Sequence, residues 1–578
     1  MVIEGGFVKK ILFLVLMLLT PVIILSYDIL PVDSLRAGMH GYGISVFSNN
    51  KPDTFGVEIL GVIKKAGPGR KLIIARLSGA GLEKTGIIAG MSGSPVFVNE
   101  KIIGAVAYAW SYSLEPITGI TPIEDIIATK TDTNAVEGGG ADIKIEGKGL
   151  MSPYSGVSLR RIKTLLSISG FDNLLIGKVD NFLREKGFDT VIGGGASGEQ
   201  DGMDSLFLGA AVAARLVGGD VSLGAIGTVS YIDGKDVFAF GHPLFYSGAT
   251  SLPMTTAYVY AIMPNQVSSF KIASPEKEIG AVVADGKNAI YGIIGEKAKT
   301  IPVSVSVSKG KKKHNFHFTV VEQKDLTPFL TGVTYGNSIL TEGRSFGSLT
   351  ISLSMTLELQ KYGKVEINNF FSGDKALTFS INAVQSIIDM FYKDRFEEIN
   401  INKINVNSEI SDGERTAEIM DMKPTSFTVH RGIATDVKVF LKKTKGEEVV
   451  KKFSITIPVN YTDSIAKIAV VGADGYMRLE NERAVNIYTP SRAGQIVDII
   501  KHFPRNNVLY CLLLSSKPGI IIRGYEMSAL PSSMLYLMGK SQSMGEGNFT
   551  KGDIIKEFNK ECDFQISGGK VITLRVVD

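Results

Sequence analysis

A serine set between glycines is the residue of this chain best suited to covalent chemistry. Ser92 lies in the segment Gly90–Pro95 (Gly-Met-Ser-Gly-Ser-Pro), between an apolar run and a strand predicted at Pro95–Val98. Glycine on both sides permits a strained turn that points backbone N–H groups and the serine hydroxyl at one spot. Acyl transfer requires this combination, because it needs a nucleophile and donors for the developing oxyanion. The other interpretation is an ordinary tight loop between two strands, since so short a pattern has many false positives.

A serine nucleophile also needs a base, which is usually a histidine oriented by a carboxylate. Of the six histidines, His242 is the best placed, because it follows a predicted strand and lies between Gly241 and Pro243. A histidine in such a constrained loop could be held in one tautomer. A structural turn histidine is an equal alternative on these residues alone. His40, in a glycine-rich turn, is a rival base.

The elements around these two residues are predicted to be short strands. Pro95–Val98 and Ile102–Tyr108 form a predicted hairpin directly after the serine loop, which would hold that loop rigidly. Asp233-Gly234 between apolar strands is a strong hairpin signal, and this hairpin leads into His242. Val303, Val305 and Val307 alternate with serines, which predicts a half-buried strand whose partner is His314–Val320.

The C-terminal part of the chain is predicted to contain two further domains. A clean alternation at Ile351–Leu359 and a hairpin of Val437–Leu441 with Val449–Ile457 favour a β-sandwich. From about Ile487 the pattern becomes α+β. The elements predicted there are a helix at Ala493–His502, strands at Val508–Leu514 and Gly519–Arg523, and a hairpin within Asp563–Val577. Earlier in the chain, Thr131–Asp142 is a predicted connector, Asp180–Lys186 a short helix and Gly193–Gly198 a flexible loop.

Length and composition indicate a globular protein of several domains. The 578 residues predict three to four domains at roughly one per 150 residues. The net charge of +4 is too small for this length to indicate binding to nucleic acid or to an anionic membrane. Cys511 lies in an apolar run and is expected to be a buried free thiol, although a disulfide with Cys562 would be compatible with export. Without a C-x-x-C motif, structural zinc is not expected.

The N-terminus is predicted to be a secretory signal peptide, residues 1–26. Lys9 and Lys10 precede the apolar run Ile11–Leu19, and Pro21 interrupts the apolar stretch. A basic start, a short apolar core and a break of this kind are typical of a cleaved signal, with cleavage near Ser26. A retained anchor is the alternative. The protein is therefore expected outside the cytoplasm, as a periplasmic, secreted or envelope-associated protein.

Two blocks of the chain together resemble the SpoIVB-type serine peptidases, the sporulation stage IV B peptidase family. The first block is Thr85–Val96 with its Ser-Gly-Ser-Pro loop, followed at the family's spacing by Lys101–Ala107. The second runs from Ile226 to Pro243 and looks like the family's Gly-Thr-Met…Leu-Gly-His segment, and Gly292–Gly295 resembles the Gly-Ile-Phe-Gly that follows it. The resemblance implies a secreted, trypsin-like β-barrel peptidase. It also implies Ser92 as nucleophile, His242 as general base and the backbone N–H groups of Gly90 and Ser92 as the oxyanion hole.

The chain departs from the family pattern in two respects. The serine block precedes the histidine block here, which is permissible because active sites are defined by geometry and not by chain order. The family's acidic residue shortly before the serine loop has no counterpart, since the matching position is near Ser78. Asp285, which follows His242 within the same block, is the predicted third residue. The alternatives are Asp233, Asp236 and Asp125.

The fold expected from these features is mainly β. A trypsin-like double β-barrel core is predicted for residues 27–345, with a serine half at 27–130 and a histidine half at 205–345. A β-sandwich domain is predicted at 346–480 and a small α+β module at 481–578. The expected function is an exported serine endopeptidase that acts on polypeptides, without cofactor, metal or nucleic acid. A partner protein in the cell envelope and the oligomeric state stay open.

Two other functions compete with the peptidase. A non-catalytic envelope scaffold or peptide-binding protein could retain the barrel, and the missing acid and the exchanged order favour it. An adhesion or polysaccharide-binding sandwich is the weaker alternative, because the single Trp110 lies outside the sandwich region.

Overall fold

The chain forms mainly β-structure, as the sequence predicted. The computed structural model describes residues 27–67, 70–110, 113, 115–131, 159–193, 205–342, 347–393, 396–485, 487–522, 524–528, 530–539 and 548–578. The predicted signal peptide at 1–26 lies outside the described residues, as do nearly all of the predicted connector and of the glycine-rich loop at 193–198.

The serine half forms a closed ring of six strands. Its strands are β1 (His40–Ser48), β2 (Lys51–Gly67), β3 (Arg70–Ser78), β4 (Pro95–Val98), β5 (Lys101–Trp110) and β6 (Ile117–Pro122). They pair in the order β4-β1-β2-β3-β6-β5, and β5 pairs back to β4. Apolar side chains such as Ile59, Ile73 and Val106 fill the interior. The short helices α1 (Leu82–Thr85) and α2 (Ile123–Ile127) flank this barrel, and β7 (Leu159–Arg161) extends it beside β5.

The predicted hairpin behind the serine loop is confirmed. Val98 pairs with Lys101, so Asn99 and Glu100 form a two-residue turn with φ values of 51° and 60°. Positive φ at both central residues gives the turn a twist that matches the flanking strands.

The histidine half forms a second closed ring of six strands. It is preceded by β8 (Leu165–Ser169), α3 (Asn173–Glu185) and β9 (Asp189–Ile192). Its strands are β10 (Ala211–Gly219), β11 (Ser222–Asp233), β12 (Asp236–Ala239), β13 (Gly248–Met263), β14 (Phe270–Asp285) and β15 (Ile290–Ile294). They pair in the order β10-β13-β14-β15-β12-β11, and β11 pairs back to β10. The predicted Asp233-Gly234 hairpin is confirmed, with Gly234 at φ 58°.

Helix α3 is longer than the predicted helix at 180–186. Leu175, Val179 and Leu183 are all buried, four residues apart, and form one apolar stripe. That stripe begins before the charged segment on which the sequence prediction relied, so the prediction placed the helix start too late.

The chain divides into two compact units. The first contains the residues up to Ser167 together with Leu183–Arg215 and Gly224–Ala298. The second contains Ile168–Phe182, Leu216–Leu223 and Lys299–Asp578. Ser92, His242 and Asp285 all belong to the first unit, so the candidate site lies within one compact body.

The second unit begins with a sheet covered by helices. Its strands β16 (Thr300–Lys309), β17 (Lys312–Val321), β18 (Leu349–Leu359), β19 (Gly363–Gly373) and β20 (Ile401–Asp412) pair in the order β19-β18-β20-β16-β17. Valines 303, 305 and 307 are buried, which confirms the predicted half-buried strand. Helices α4 (Thr327–Glu342) and α5 (Ala376–Tyr392) pack on each other and on this sheet. The parallel pairing of β16 with β20 crosses the predicted boundary at 345, and the domain limits stay predictions.

A β-sandwich completes the second unit. The remaining elements are β21 (Thr416–Pro424), β22 (Thr428–His430), β23 (Ala434–Lys443), β24 (Glu448–Thr456), β25 (Ile465–Val471), α6 (Ala473–Arg483), α7 (Ala493–Lys501), β26 (Val508–Ser515), β27 (Ile520–Ile522), β28 (Tyr525–Met527), α8 (Ser532–Gly539), β29 (Asn548–Phe549), β30 (Asp553–Glu561), β31 (Gln565–Ser567) and β32 (Gly569–Val577). Sheets β24-β23-β21-β31 and β22-β32-β25-β26-β30 share one core, which includes both cysteines as free thiols.

The predicted C-terminal hairpin is wrong. β31 pairs in parallel with β21, whereas β32 pairs with β25 in the other sheet. The chain passes from one sheet to the other at Gly568, which has φ 82°. A Ser-Gly-Gly segment therefore marks a change of sheet here, and not a tight turn between two paired strands.

Candidate active site

Ala89, the residue before the serine loop, is held against the start of strand β14. The Ala89 backbone N–H donates to the Ser269 carbonyl at 2.8 Å, and the Lys271 backbone N–H donates to the Ala89 carbonyl at 3.1 Å. Gly90 and Gly93 both have φ 95°, a region that side-chain-bearing residues rarely adopt. The two glycines therefore allow the sharp turn that the sequence predicted.

Gly93 brings the serine loop into contact with the histidine half. A Cβ atom at this position would lie 2.1 Å from the Thr228 carbonyl oxygen and 2.6 Å from the Phe240 backbone nitrogen. The Thr228 backbone N–H donates to the Ser92 carbonyl at 2.9 Å, and the Phe240 N–H donates to the Thr228 carbonyl at 3.1 Å. Only a residue without a side chain permits so close an approach of three backbone segments.

The orientation of the loop peptides follows from where their carbonyl groups bind. A trans peptide is planar, so its N–H points away from its C=O. The Ala89 carbonyl accepts from Lys271, and the N–H of the same peptide, on Gly90, therefore points away from β14. The Met91 carbonyl accepts from the backbone N–H of Ser94 at 3.0 Å and from the Ser94 hydroxyl at 2.6 Å. The Ser92 N–H, which belongs to the same peptide as this carbonyl, therefore points away from Ser94. Within the described residues, neither the Gly90 nor the Ser92 N–H finds a protein acceptor.

Ser92 and His242 are both sealed from solvent. Ser92 is 0% exposed and His242 is 1% exposed. Neither Ser92 Oγ nor His242 Nε2 has a hydrogen-bond partner among the described residues, so the two atoms are not hydrogen-bonded to each other. Their loops are nevertheless neighbours: the Gly93 N–H donates to the Val106 carbonyl at 2.7 Å, and a Cβ on Gly241 would lie 3.1 Å from that same oxygen.

The imidazole of His242 is oriented by a backbone carbonyl. Nδ1 lies 2.8 Å from the Pro243 carbonyl oxygen, so a proton on Nδ1 donates to it and leaves the lone pair on Nε2. This is the tautomer that a general base requires. Burial lowers the pKa of His242 to about 4, with a further lowering from the Arg161 charge, while the Pro243 carbonyl acts in the opposite direction.

The backbone before His242 is strained. Phe240 has φ 70° and Gly241 has φ 64°, two consecutive residues in the left-handed region. Thr121 Oγ1 donates to the Gly241 carbonyl at 2.7 Å and helps to hold this turn. For a bulky residue such as Phe240 this conformation costs of the order of 1–3 kcal/mol, and strain of this kind clusters at functional sites.

Asp285 binds the loop after His242 and not the imidazole. Oδ1 accepts the Leu244 N–H at 2.7 Å, and Oδ2 accepts the Phe245 N–H at 2.6 Å and the Ser247 N–H at 3.3 Å. Burial raises the pKa of Asp285, and these N–H groups oppose the rise. The structure thus brings Asp285 to the predicted site region, but the carboxylate anchors a loop and has no hydrogen bond to His242.

The rival residues lie in other surroundings. Asp236 pairs with Lys130 and accepts from the Tyr291 hydroxyl at 2.8 Å. Asp125 is in α2, where burial raises its pKa. Asp233 and His40 are both exposed. None of these side chains hydrogen-bonds to His242 within the described residues, so the predicted roles of Ser92, His242 and Asp285 stay predictions.

The sequence reasoning missed a buried lysine beneath the serine loop. Lys271 is 0% exposed, its Nζ donates to Ser45 Oγ at 3.0 Å, and a Cβ on Gly90 would lie 3.2 Å from its Cδ. Burial lowers the pKa of Lys271 to about 7. The available signal in the sequence was a lysine within an apolar strand segment. Because lysine is almost never fully buried unless it is paired, a lysine at such a position indicates a specific buried contact.

A cleft opens beside the start of the serine loop. Its volume is about 240 Å³, and its lining includes Thr85, Ile87, Ala89, Trp110 and Arg161. Across the described ranges, no group of three or more His, Cys, Asp or Glu side chains could hold a metal ion. No helix in the described part of the chain has the length and apolarity to cross a membrane.

Comparison with known proteins gives one finding about the family. No curated protein and no solved structure matches the chain significantly. A family model described as SpoIVB peptidase S55 matches residues 35–119, which include the serine loop but not the block around His242. This match confirms the resemblance of the serine block to the SpoIVB-type serine peptidases. The chain is similar to that family over residues 35–119, which include Ser92 and most of its barrel.

Proposed function

We propose that this protein is an exported serine endopeptidase that forms an acyl-enzyme on Ser92, with His242 as general base. The observation that carries this proposal is the set of polar groups left without partners where the two barrels meet. Ser92 Oγ, His242 Nε2 and the N–H groups of Gly90 and Ser92 are all unsatisfied among the described residues. Because more than nine-tenths of buried polar groups are normally paired, such a group of orphans supports a site that awaits a ligand.

Each orphan group has a role in acyl transfer. Ser92 Oγ would attack the scissile carbonyl carbon while His242 Nε2 takes its proton. The N–H groups of Gly90 and Ser92 would stabilise the oxyanion, and the imidazolium would then protonate the leaving amine. Water would hydrolyse the acyl-enzyme with the same base. The lowered pKa of His242 keeps the imidazole neutral at pH 7, and it also makes the ring a weaker base than an ordinary histidine.

In this proposal two groups together replace the acidic residue that would orient the histidine in the family. The Pro243 carbonyl selects the imidazole tautomer, and Asp285 holds the loop that carries this carbonyl. A neutral carbonyl stabilises an imidazolium less than a carboxylate does, so we expect slower chemistry than in a peptidase with a complete triad.

Substrate access would require a local opening. Ser92 has no exposed surface, and the cleft is lined by Ala89 but not by Ser92. An extended polypeptide entering at Ala89 would have to displace the segment that covers the serine. Lids that exclude water and open on binding are common in enzymes.

Export is the second part of the proposal, and the N-terminal residues carry it. Lys9, Lys10 and the apolar run Ile11–Leu19 favour passage out of the cytoplasm. Sequencing the N-terminus of the protein recovered from the extracytoplasmic fraction tests this point. A start near residue 27 supports a cleaved signal, a start at Met1 in a membrane fraction supports an anchor, and recovery in the cytoplasm contradicts export.

A fluorophosphonate probe tests the catalytic proposal. We expect the wild-type protein to be labelled on Ser92, and labelling to be lost in Ser92→Ala and to fall at least a hundredfold in His242→Ala. Ser78→Ala, at an exposed serine of the same barrel, is the matched control and should label normally. Circular dichroism must show that all variants are folded. Labelling of another serine, or unchanged labelling in Ser92→Ala, contradicts the proposal.

The same experiment decides the second candidate function, a non-catalytic envelope scaffold or peptide-binding protein. The complete burial of Ser92 and the missing hydrogen bond to His242 favour this alternative. A folded wild-type protein that binds peptides but is never labelled, at any pH between 5 and 9, would support it.

A further inference from the structure

We propose that Lys271 is a positioning residue that sets the orientation of both oxyanion-hole donors. This inference rests on the proposed peptidase function for its catalytic consequence, but its structural part stands on the contacts of Lys271 alone. The lysine acts on the serine loop in two ways, through its backbone and through its side chain.

The backbone of Lys271 fixes the first donor. Its N–H donates to the Ala89 carbonyl at 3.1 Å, and the peptide that carries this carbonyl also carries the Gly90 N–H. Because the peptide is planar, holding the carbonyl against β14 turns the Gly90 N–H away from the strand.

The side chain of Lys271 reaches the second donor through two hydroxyl groups. Nζ donates to Ser45 Oγ at 3.0 Å, and Ser45 Oγ lies 3.1 Å from Ser94 Oγ. Ser94 Oγ donates to the Met91 carbonyl at 2.6 Å, in the peptide that carries the Ser92 N–H. Ser94 Oγ is the donor towards Ser45 Oγ as well, so Ser45 Oγ accepts from both Lys271 and Ser94. Lys271 therefore holds Ser45 Oγ, and Ser45 Oγ in turn holds the hydroxyl that binds the Met91 carbonyl.

A second branch, with a longer first contact, passes through one hydroxyl group and reaches the peptide between Gly90 and Met91. Lys271 Nζ lies 3.5 Å from Thr228 Oγ1, which donates to the Gly90 carbonyl at 2.9 Å. The two branches end on consecutive carbonyl groups, at Gly90 and Met91. Hydrogen bonds in series polarise one another, so donation from Lys271 Nζ strengthens the bond from Thr228 Oγ1 to the Gly90 carbonyl.

The burial of Lys271 indicates that its amine supplies hydrogen bonds that an apolar side chain could not supply. Its side chain is fully buried, and no carboxylate of the described residues contributes to the shift of its pKa. The Phe47 ring, whose centroid is 5.9 Å from Nζ, is its aromatic neighbour. Burying an amine without a counter-charge is costly, and an apolar side chain would fill the same space without that cost. The two hydroxyl branches are what an apolar residue could not supply.

The test compares Lys271→Met with Ser45→Ala and with a matched control. Methionine retains most of the aliphatic stem but donates no hydrogen bond, whereas Ser45→Ala interrupts only the branch to Met91. Lys235→Met changes an exposed lysine in the β11–β12 turn and serves as the control. Two readouts are measured: amide hydrogen exchange of a peptide covering residues 88–95, and the kinetics of fluorophosphonate labelling.

In Lys271→Met we expect exchange in the serine loop to become at least tenfold faster, and in Ser45→Ala a smaller increase. The limiting rate constant of labelling should fall tenfold or more, while the probe concentration that gives half of that rate stays within twofold. A purely structural role would not separate these two constants. Losing one oxyanion donor outright costs about 10²–10³ in rate, which bounds the effect.

The outcomes separate this inference from the proposed function. If the folded wild-type protein is not labelled, the peptidase proposal fails, and loop exchange still decides whether Lys271 holds the loop. If loop exchange in Lys271→Met equals that of Lys235→Met, the inference is overturned, whatever the labelling. If Lys271→Met does not fold, Ser45→Ala decides by the same two measurements.

Discussion

Asp285 accepts the backbone N–H of Leu244 at 2.7 Å, so this carboxylate holds the loop that follows His242 and leaves the imidazole to the Pro243 carbonyl. In a Ser-His-Asp triad the acid binds the histidine directly. Here Asp285 binds the backbone of the loop that follows His242 and makes no hydrogen bond to the ring.

Asp285→Asn should reduce stability more than activity. The amide offers one acceptor oxygen where the carboxylate offers two, so at least one buried N–H among Leu244, Phe245 and Ser247 loses its partner. We expect the free energy of unfolding in urea to fall by about 1.5–3 kcal/mol. Fluorophosphonate labelling should fall less than tenfold. A loss near 10⁴ with unchanged stability would instead assign Asp285 the role of a triad acid.

The labelling rate should depend on pH through a group that titrates well below an ordinary histidine. The pKa of His242 is lowered to about 4 because the ring is buried. The base is active when neutral, so the rate should rise from pH 3.5 to about 5 and then stay level to pH 8. A midpoint near 6.5 would show that the imidazole is solvated in the active form.

The same lowered pKa predicts that the protein loses stability in mild acid. Between about pH 6.5 and 4 the unfolded histidine binds a proton that the folded one does not, so the free energy of unfolding falls as pH falls. The shift from 6.5 to about 4 corresponds to roughly 3 kcal/mol. Urea unfolding of wild type and His242→Gln at pH 4.5 and 7 checks this, and equal pH dependence in both proteins would contradict it.

Gly93→Ala should break the contact between the serine loop and the histidine half. A Cβ would lie 2.1 Å from the Thr228 carbonyl oxygen, and the backbone φ of 95° is itself unfavourable. Gly79→Ala is the matched control, because Gly79 has φ 76° and open space around its Cβ position. We expect the control to lose about 1 kcal/mol and Gly93→Ala to lose at least 2 kcal/mol more, together with all labelling. Equal losses in the two variants would mean that the close approach does not exist in solution.

Lys271 should make the protein more stable as the solution becomes basic. The pKa is lowered from 10.5 to about 7, so between these values the unfolded chain binds one more proton than the folded chain. The free energy of unfolding then rises with pH, by roughly 3 kcal/mol between pH 6 and 9. Lys271→Met should lack this rise, and Lys235→Met should retain it. An identical slope in all three proteins would show that the lysine is not buried.

Features with local causes were predictable from the sequence. The glycines around Ser92 produced the expected turn, and Asp233-Gly234 produced the expected hairpin, because positive φ values are a property of single residues. The mainly β fold was likewise predictable, since alternation and punctuation by glycine and proline depend on neighbours in the sequence. The closed barrels were expected from the resemblance to the peptidase family.

Features that depend on distant partners were not predictable. The sequence predicts Asp285 as the third residue beside Ser92 and His242, but its partners in the structure are three backbone N–H groups. Lys271 was overlooked, since its role depends on Ser45, which is far away in the chain. The segment at Gly568 resembled a hairpin turn. In the structure the strands on its two sides pair with different sheets, β31 with β21 and β32 with β25, which depends on residues far away in the chain.

The supports of the serine loop come late in the chain. Ser92 is positioned by Thr228 and Lys271, both of which follow it by well over a hundred residues. During synthesis, which runs from the N-terminus, the serine is made long before the residues that orient its loop. Contacts between such distant residues form slowly, because a long loop must first be closed. A chain that ends before residue 228 would therefore contain Ser92 without the residues that support its loop.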